Sequence, residues 1–120
     1  MERKKRKLHP VKGAHWFSRA YRKGQVYAGR HLVLYVLPAH DKTRTLLGIT
    51  VSKKRGKAVV RNRVKRWIRE SYRRYLPVLK NGKVIVIVAK QPAVTAGFAV
   101  LSEEVGYLLG KATLLDEAPQ

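Results

Sequence analysis

The chain contains no cysteine, which excludes disulfides, thiolate metal sites and thiol nucleophiles and leaves the redox compartment open. Acid is also scarce: seven Asp and Glu residues stand against 27 Lys and Arg, a net charge of +20. A compact state so charged repels itself, and a bound polyanion relieves that repulsion. Long apolar runs are missing too. None approaches the roughly 18 residues that cross a bilayer, and Met1–Lys7 leads into Leu8-His9-Pro10 rather than into an apolar signal core. The expectation is a cytoplasmic protein with no membrane partner. Its 120 residues, 45% of them hydrophobic, suffice for one modest core.

The few acids are scattered over Glu2, Asp41, Glu70, Glu103, Glu104, Asp116 and Glu117. A nuclease active site built from side chains clusters carboxylates around metals about 3.5–4 Å apart, or pairs histidines as acid and base. Glu103 and Glu104 are adjacent, but neighbours on a helix diverge by about 100°, so both are expected in solvent. His9, His15, His31 and His40 show no ligand spacing. No catalytic residue and no intrinsic metal site is expected in the protein. Gly48 and Gly56-Lys57 fail as a phosphate loop, because seven residues separate the glycines and Ala58 follows the lysine.

Basic residues crowd residues 1–12, which read as a mobile arm ahead of one domain over 13–115 and a tail over 116–120. Ala14, Phe17, Ala20 and Tyr21 give a short helical stripe ended by Gly24. The β-rich runs 31–37 and 46–52, separated by a polar turn, read as an antiparallel hairpin. Both faces of the first run carry apolar groups. Lys83–Ala89 is apolar throughout its centre and is expected near the middle of a sheet. Thr95 is placed to cap a last helix with Phe98, Leu101, Val105, Leu108, Leu109 and Ala112 on one face. Gly106 and Gly110, four apart on that helix, suggest close packing on the sheet.

The densest charge lies at 52–74, with eleven of the 27 Lys and Arg residues and a single acid, Glu70. Val60, Val64, Trp67, Ile68, Ser71, Tyr72 and Tyr75 form an apolar stripe at helical spacing, and Pro77 closes the helix. Opposite the stripe, Asn62, Arg66, Arg69 and Arg73 share a polar face flanked by Arg61 and Lys65. Like charges this dense repel along a helix, and arginine forks bridge phosphate oxygens, so a nucleic-acid backbone is the fitting partner. Phe17, Tyr21 and Tyr35 suit either a core or a platform for unpaired bases, and core is the commoner fate.

The string Ser52-Lys53-Lys54, then Gly56-Lys57-Ala58-Val59, then Arg61-Asn62-Arg63-Val64-Lys65-Arg66 with Arg69 and Glu70, resembles the signature of the bacterial ribonuclease P protein family. Phe17 through Tyr21 to Gly24, Val33-Leu34-Tyr35 and Ile87-Val88-Ala89-Lys90 extend the similarity over roughly residues 8–115. The resemblance implies an α+β fold, a two-layer αβββαβα sandwich whose basic helix joins two parallel strands by a left-handed crossover against the usual preference. It implies the non-catalytic protein subunit of an RNA-based endonuclease that removes the 5′ leader of precursor tRNA. Magnesium would be held mainly by the catalytic RNA subunit, with no organic cofactor and no obligate protein partner.

Carried over residue by residue, Ser52, Lys53, Lys54, Arg61, Asn62, Arg63, Lys65, Arg66 and Arg69 would dock on the RNA subunit. Phe17, Tyr21, Val33 and Tyr35, with Arg61 and Asn62 at the rim, would line a cleft for the single-stranded leader. Tyr21 stands where the family pattern has Phe, and Trp67 where an aliphatic residue is usual. A ribosomal or other structural RNA-binding protein is the alternative. It shares the charge but not the aromatic cleft.

Overall fold

A computed structural model describes residues 7–116 of the chain. In order, its elements are β1 (His9–Pro10), α1 (His15–Lys23), β2 (Gln25–Ala28), β3 (Leu32–Pro38), β4 (Leu46–Thr50), α2 (Ala58–Arg73), β5 (Lys83–Ala89) and α3 (Phe98–Lys111). From α1 onward this is the αβββαβα sequence that the resemblance implies. The strands form one sheet in the order β1-β4-β5-β3-β2. Val84 and Val86 of β5 are buried toward one face and Ile85 and Ile87 toward the other, so the most apolar strand takes the centre.

The expected hairpin between 31–37 and 46–52 does not form. β3 pairs antiparallel and β4 parallel with β5, which lies between them. Burial outweighs adjacency here, since only an inner position covers both faces and both edges of β5. The hairpin partner of β3 is β2, whose Gln25, Val26, Tyr27 and Ala28 lack an apolar alternation that would mark a strand. β4 stops at Thr50, and Ser52 instead opens a 3-10 turn over Lys53–Arg55. At the other edge, His9 and Pro10 pair with Leu46 and Leu47, and the Val11 N–H donates to the Leu47 carbonyl at 2.9 Å. Residues 9–11 are therefore sheet edge rather than mobile arm. Residues 1–6 and 117–120 lie outside the described residues, while Asp116, read as tail, donates its N–H to the Val78 carbonyl at 2.7 Å.

One sheet face carries the larger core. Leu32, Leu34, Leu47, Ile85 and Ile87 meet Val64, Ile68 and Tyr72 of α2 and Leu101, Val105 and Leu108 of α3. The predicted stripe of α2 is borne out at these positions, with Trp67 half-buried at its margin. On the opposite face α1 sets Trp16 and Ala20 over Leu37, Val84 and Val86. Trp16 is absent from the predicted stripe. Burying it contributes about 1.5–3 kcal/mol or more, enough to rotate α1 so that Tyr21 emerges into solvent at 45% exposure.

The last helix differs in detail. Thr95 belongs to a 3-10 turn and does not cap; Gly97 takes that position, and Phe98 is exposed. A Cβ on Gly106 would strike the Tyr75 hydroxyl, whereas one on Gly110 would meet nothing within 4 Å. The close approach is thus to the segment after α2, not to the sheet. Glu104 departs furthest from expectation. Its carboxylate accepts the N–H groups of His31 at 2.9 Å and Leu32 at 2.6 Å and lies 2.8 Å from His31 Nδ1. The turn after β2 presents these donors to α3, and Glu104 is the acceptor within reach.

Candidate nucleic-acid interface

α1 is nine residues long and covers only part of its sheet face. Register shows what it leaves open: Thr50, Val88, Val33 and Ala28 form one row across four strands, and Gly48, Val86, Tyr35 and Val26 the next. Phe17 lies over Gly48 so closely that a Cβ there would sit 2.9 Å from its Cζ. Glycine at 48 is what admits the ring. Tyr21 and Tyr35 meet edge to face with centroids 5.0 Å apart, and the Tyr21 hydroxyl donates to Thr50 Oγ1 at 3.4 Å. Phe17, Val33, Tyr35 and Val88 are half-buried, and Val26 is 55% exposed. The result is an open cleft with an apolar floor and three aromatic rings on one side.

The α2 surface behaves differently from residue to residue. At about 100° per residue, Asn62, Arg66, Arg69 and Arg73 fall within about 60° of one another, opposite Val64 and Ile68. Asn62, Arg66 and Arg69 are exposed, while Arg73 pairs with Glu70 at 3.6 Å. Arg61 donates from Nε to the Gly56 carbonyl at 3.1 Å, and the Arg63 guanidinium lies 5.3 Å from the Trp67 ring centroid. Lys53 and Lys54 project from the turn between β4 and α2. Arg55 in the same turn is structural: it donates to the Ala89 carbonyl at 3.3 Å and to Gln91 Oε1 at 3.0 Å. Charge density alone gave no sign of that difference.

The predicted site residues thus form two groups on opposite faces of one sheet. Phe17, Tyr21, Val33 and Tyr35 come together in the cleft; Arg61, Asn62, Arg63, Lys65, Arg66 and Arg69 lie on α2 beyond the other face. Among the described residues no hydrogen bond, ion pair or ring contact joins Arg61 or Asn62 to the cleft aromatics. Sequence reasoning missed Gly48, Thr50, Val88 and Val26. The first two needed the β4–β5 register, and Val26 needed the recognition of β2.

Known proteins match the chain in sequence and in fold. The family described as Ribonuclease P covers residues 5–113. The chain belongs to the ribonuclease P protein family. The ribonuclease P protein component of Caldanaerobacter subterraneus is 40% identical over 111 residues, 92% of this chain and 95% of that one. Among solved structures, the Staphylococcus aureus RNase P protein superposes with a TM-score of 0.79 at 33% identity, covering 92% of this chain and 100% of that one. The Thermotoga maritima RNase P protein gives 0.77 at 26% identity, over 86% and 96% of the two chains. Membership makes this an RNA-binding component of a tRNA-processing ribonuclease, and the ribosomal alternative is not favoured.

Proposed function

We propose that the chain docks on a catalytic RNA subunit through the outer face of α2 and the Ser52–Lys54 turn, while the cleft beside α1 grips the 5′ leader of precursor tRNA. The observation that carries this reading is the division of the site: exposed arginines on one side of the sheet, an open aromatic cleft on the other. Arginine forks match phosphate oxygens and carry little base information, which suits a structured RNA. Aromatic rings beside an apolar floor suit unpaired bases, each stack contributing about 1–3 kcal/mol. The protein then favours precursor over mature tRNA because only the precursor has a strand to place in the cleft.

The interface residues do not fit a divalent cation. Glu70 is the single acid between 52 and 74, and it faces Arg73. In this reading magnesium belongs to the RNA, and the protein contributes position and charge.

Reconstitution tests the proposal. The protein alone should cut nothing, and with the RNA subunit it should tighten precursor binding relative to mature tRNA. Phe17→Ala should weaken precursor binding about fivefold or more, one stacking contribution, with mature tRNA unaffected. Arg66→Ala should instead weaken association with the RNA subunit. Leader cleavage by the protein in RNA-free solution, or identical profiles for the two variants, would refute it.

A further inference from the structure

Three of the four histidines gather toward the sheet end remote from Thr50, where His9 pairs beside Leu46, His15 opens α1 and His40 follows β3. Two of them bracket a buried tryptophan. The Trp16 ring, in a residue only 9% exposed, lies 5.1 Å from the His15 ring and 5.8 Å from that of His40, and the Arg19 guanidinium stands 5.8 Å from it. Both imidazoles are exposed. Trp16 therefore presents two aromatic rings to solvent without being a platform itself.

A shallow depression of about 430 Å³ is lined by His40, floored by Leu37, Pro38 and Ala39 and edged by Arg19, Lys23 and Lys42, and His15 borders it only across the Trp16 ring. The nearby acid is Asp41, and its carboxylate is engaged by the Thr43 N–H at 2.8 Å, the Thr43 hydroxyl at 2.5 Å and Arg44 Nε at 3.0 Å. It does not offset the three cations. Exposed rings with cations around an apolar floor are the chemistry of single-stranded nucleic acid.

Position selects which strand. Arg19 and Lys23 occupy the flank of α1 opposite Phe17 and Tyr21, about one helix diameter of 10–12 Å away. The depression shares the sheet face of the cleft, whereas α2 packs on the other face. We propose that this end of the sheet is a second single-strand site, which takes leader nucleotides beyond those held in the cleft by stacking them on His15 and His40 and pairing their phosphates with Arg19, Lys23 and Lys42. The proposal rests on the leader-cleft reading.

The test compares precursor tRNAs with leaders of about 4 and about 12 nucleotides, the range of single-strand site sizes, bound to the reconstituted holoenzyme. The wild-type chain should prefer the longer leader, and the Lys23→Gln/Lys42→Gln and His40→Ala variants should each lose that preference, by about fivefold or more for a lost stack. Binding of the short leader should not change, nor should the melting temperatures. Phe17→Ala should weaken both leaders; if it weakens neither, the cleft reading fails and takes the proposal with it, whereas patch variants without effect overturn the proposal and leave the cleft reading intact. Equal binding of both leaders by the wild-type chain overturns the proposal. So do patch variants that keep the long-leader preference, or that lose affinity for the RNA subunit alone.

Discussion

Replacing Glu104 by alanine isolates an interaction that joins α3 to the turn between β2 and β3. The carboxylate accepts two backbone N–H groups, from His31 and Leu32, and contacts the His31 ring. With the His31 and Glu104 side chains 16% and 12% exposed, water replaces these bonds poorly. A hydrogen bond to a charged group contributes about 1.5–3 kcal/mol. Two at the lower end give a loss of about 3 kcal/mol, the partial access of water arguing against the upper end. For a domain of this size that is a fall in melting temperature of about 10 °C. Glu104→Gln keeps a carbonyl acceptor and should lose about half as much.

The assay is urea denaturation with thermal melting, and Glu103→Ala is the internal control, expected within about 0.5 kcal/mol of wild type. Amide exchange at His31 and Leu32 should accelerate in Glu104→Ala ahead of the rest of the sheet. If Glu104→Ala and Glu103→Ala melt together, the clamp is not a stabilising element and the reasoning fails.

Three further outcomes are expected. Gly110→Ala should stabilise by up to about 1 kcal/mol through helix propensity, whereas Gly106→Ala should destabilise because its methyl group meets the Tyr75 hydroxyl; chemical denaturation separates them, and a gain for both refutes the contact. Burial pushes the Tyr72 phenol well above its usual pKa, and among the described residues its hydroxyl has no hydrogen-bond partner. Tyr72→Phe should therefore be neutral or stabilising by about 1 kcal/mol, and a loss larger than that in urea unfolding would reveal an unrecognised partner. With a net charge of +20, the chain should melt at higher temperature in phosphate or sulfate than in chloride at equal ionic strength; equal melting would remove specific anion binding from the account.

The sequence was most legible where one signal decided the outcome. Lys83–Ala89 has no polar residue in its centre and became the central strand with its predicted bounds. On α2 the apolar stripe and the arginine face are 180° apart in pattern, so packing had one solution. Legibility failed where two elements competed. The β3–β4 hairpin satisfied local turn chemistry, but β5 needed a neighbour on each edge, which no window of adjacent residues displays. Glu104 looked solvated because helix periodicity says nothing about which backbone donors another turn will point at it. Trp16 was overlooked beside Phe17 because a nine-residue helix admits several stripes, and the choice was made by the volume available over Val84 and Val86.

The same rotation that buries Trp16 makes the cleft. With Trp16 and Ala20 turned into the sheet, Phe17 and Tyr21 stand at its margin, beside a floor that a longer helix would cover. Gly24 fixes that limit: α1 ends there in an extended conformation, and a Cβ at this position would lie 2.6 Å from the Ala20 carbonyl oxygen and 3.3 Å from that of Val36. Both are backbone atoms that cannot move aside. A side chain at 24 would push the end of α1 away from β3 and carry Tyr21 away from Tyr35, opening the 5.0 Å ring contact. The aromatic residues supply affinity for unpaired bases, but two glycines, 24 at the helix end and 48 beneath Phe17, set the shape in which that affinity is available.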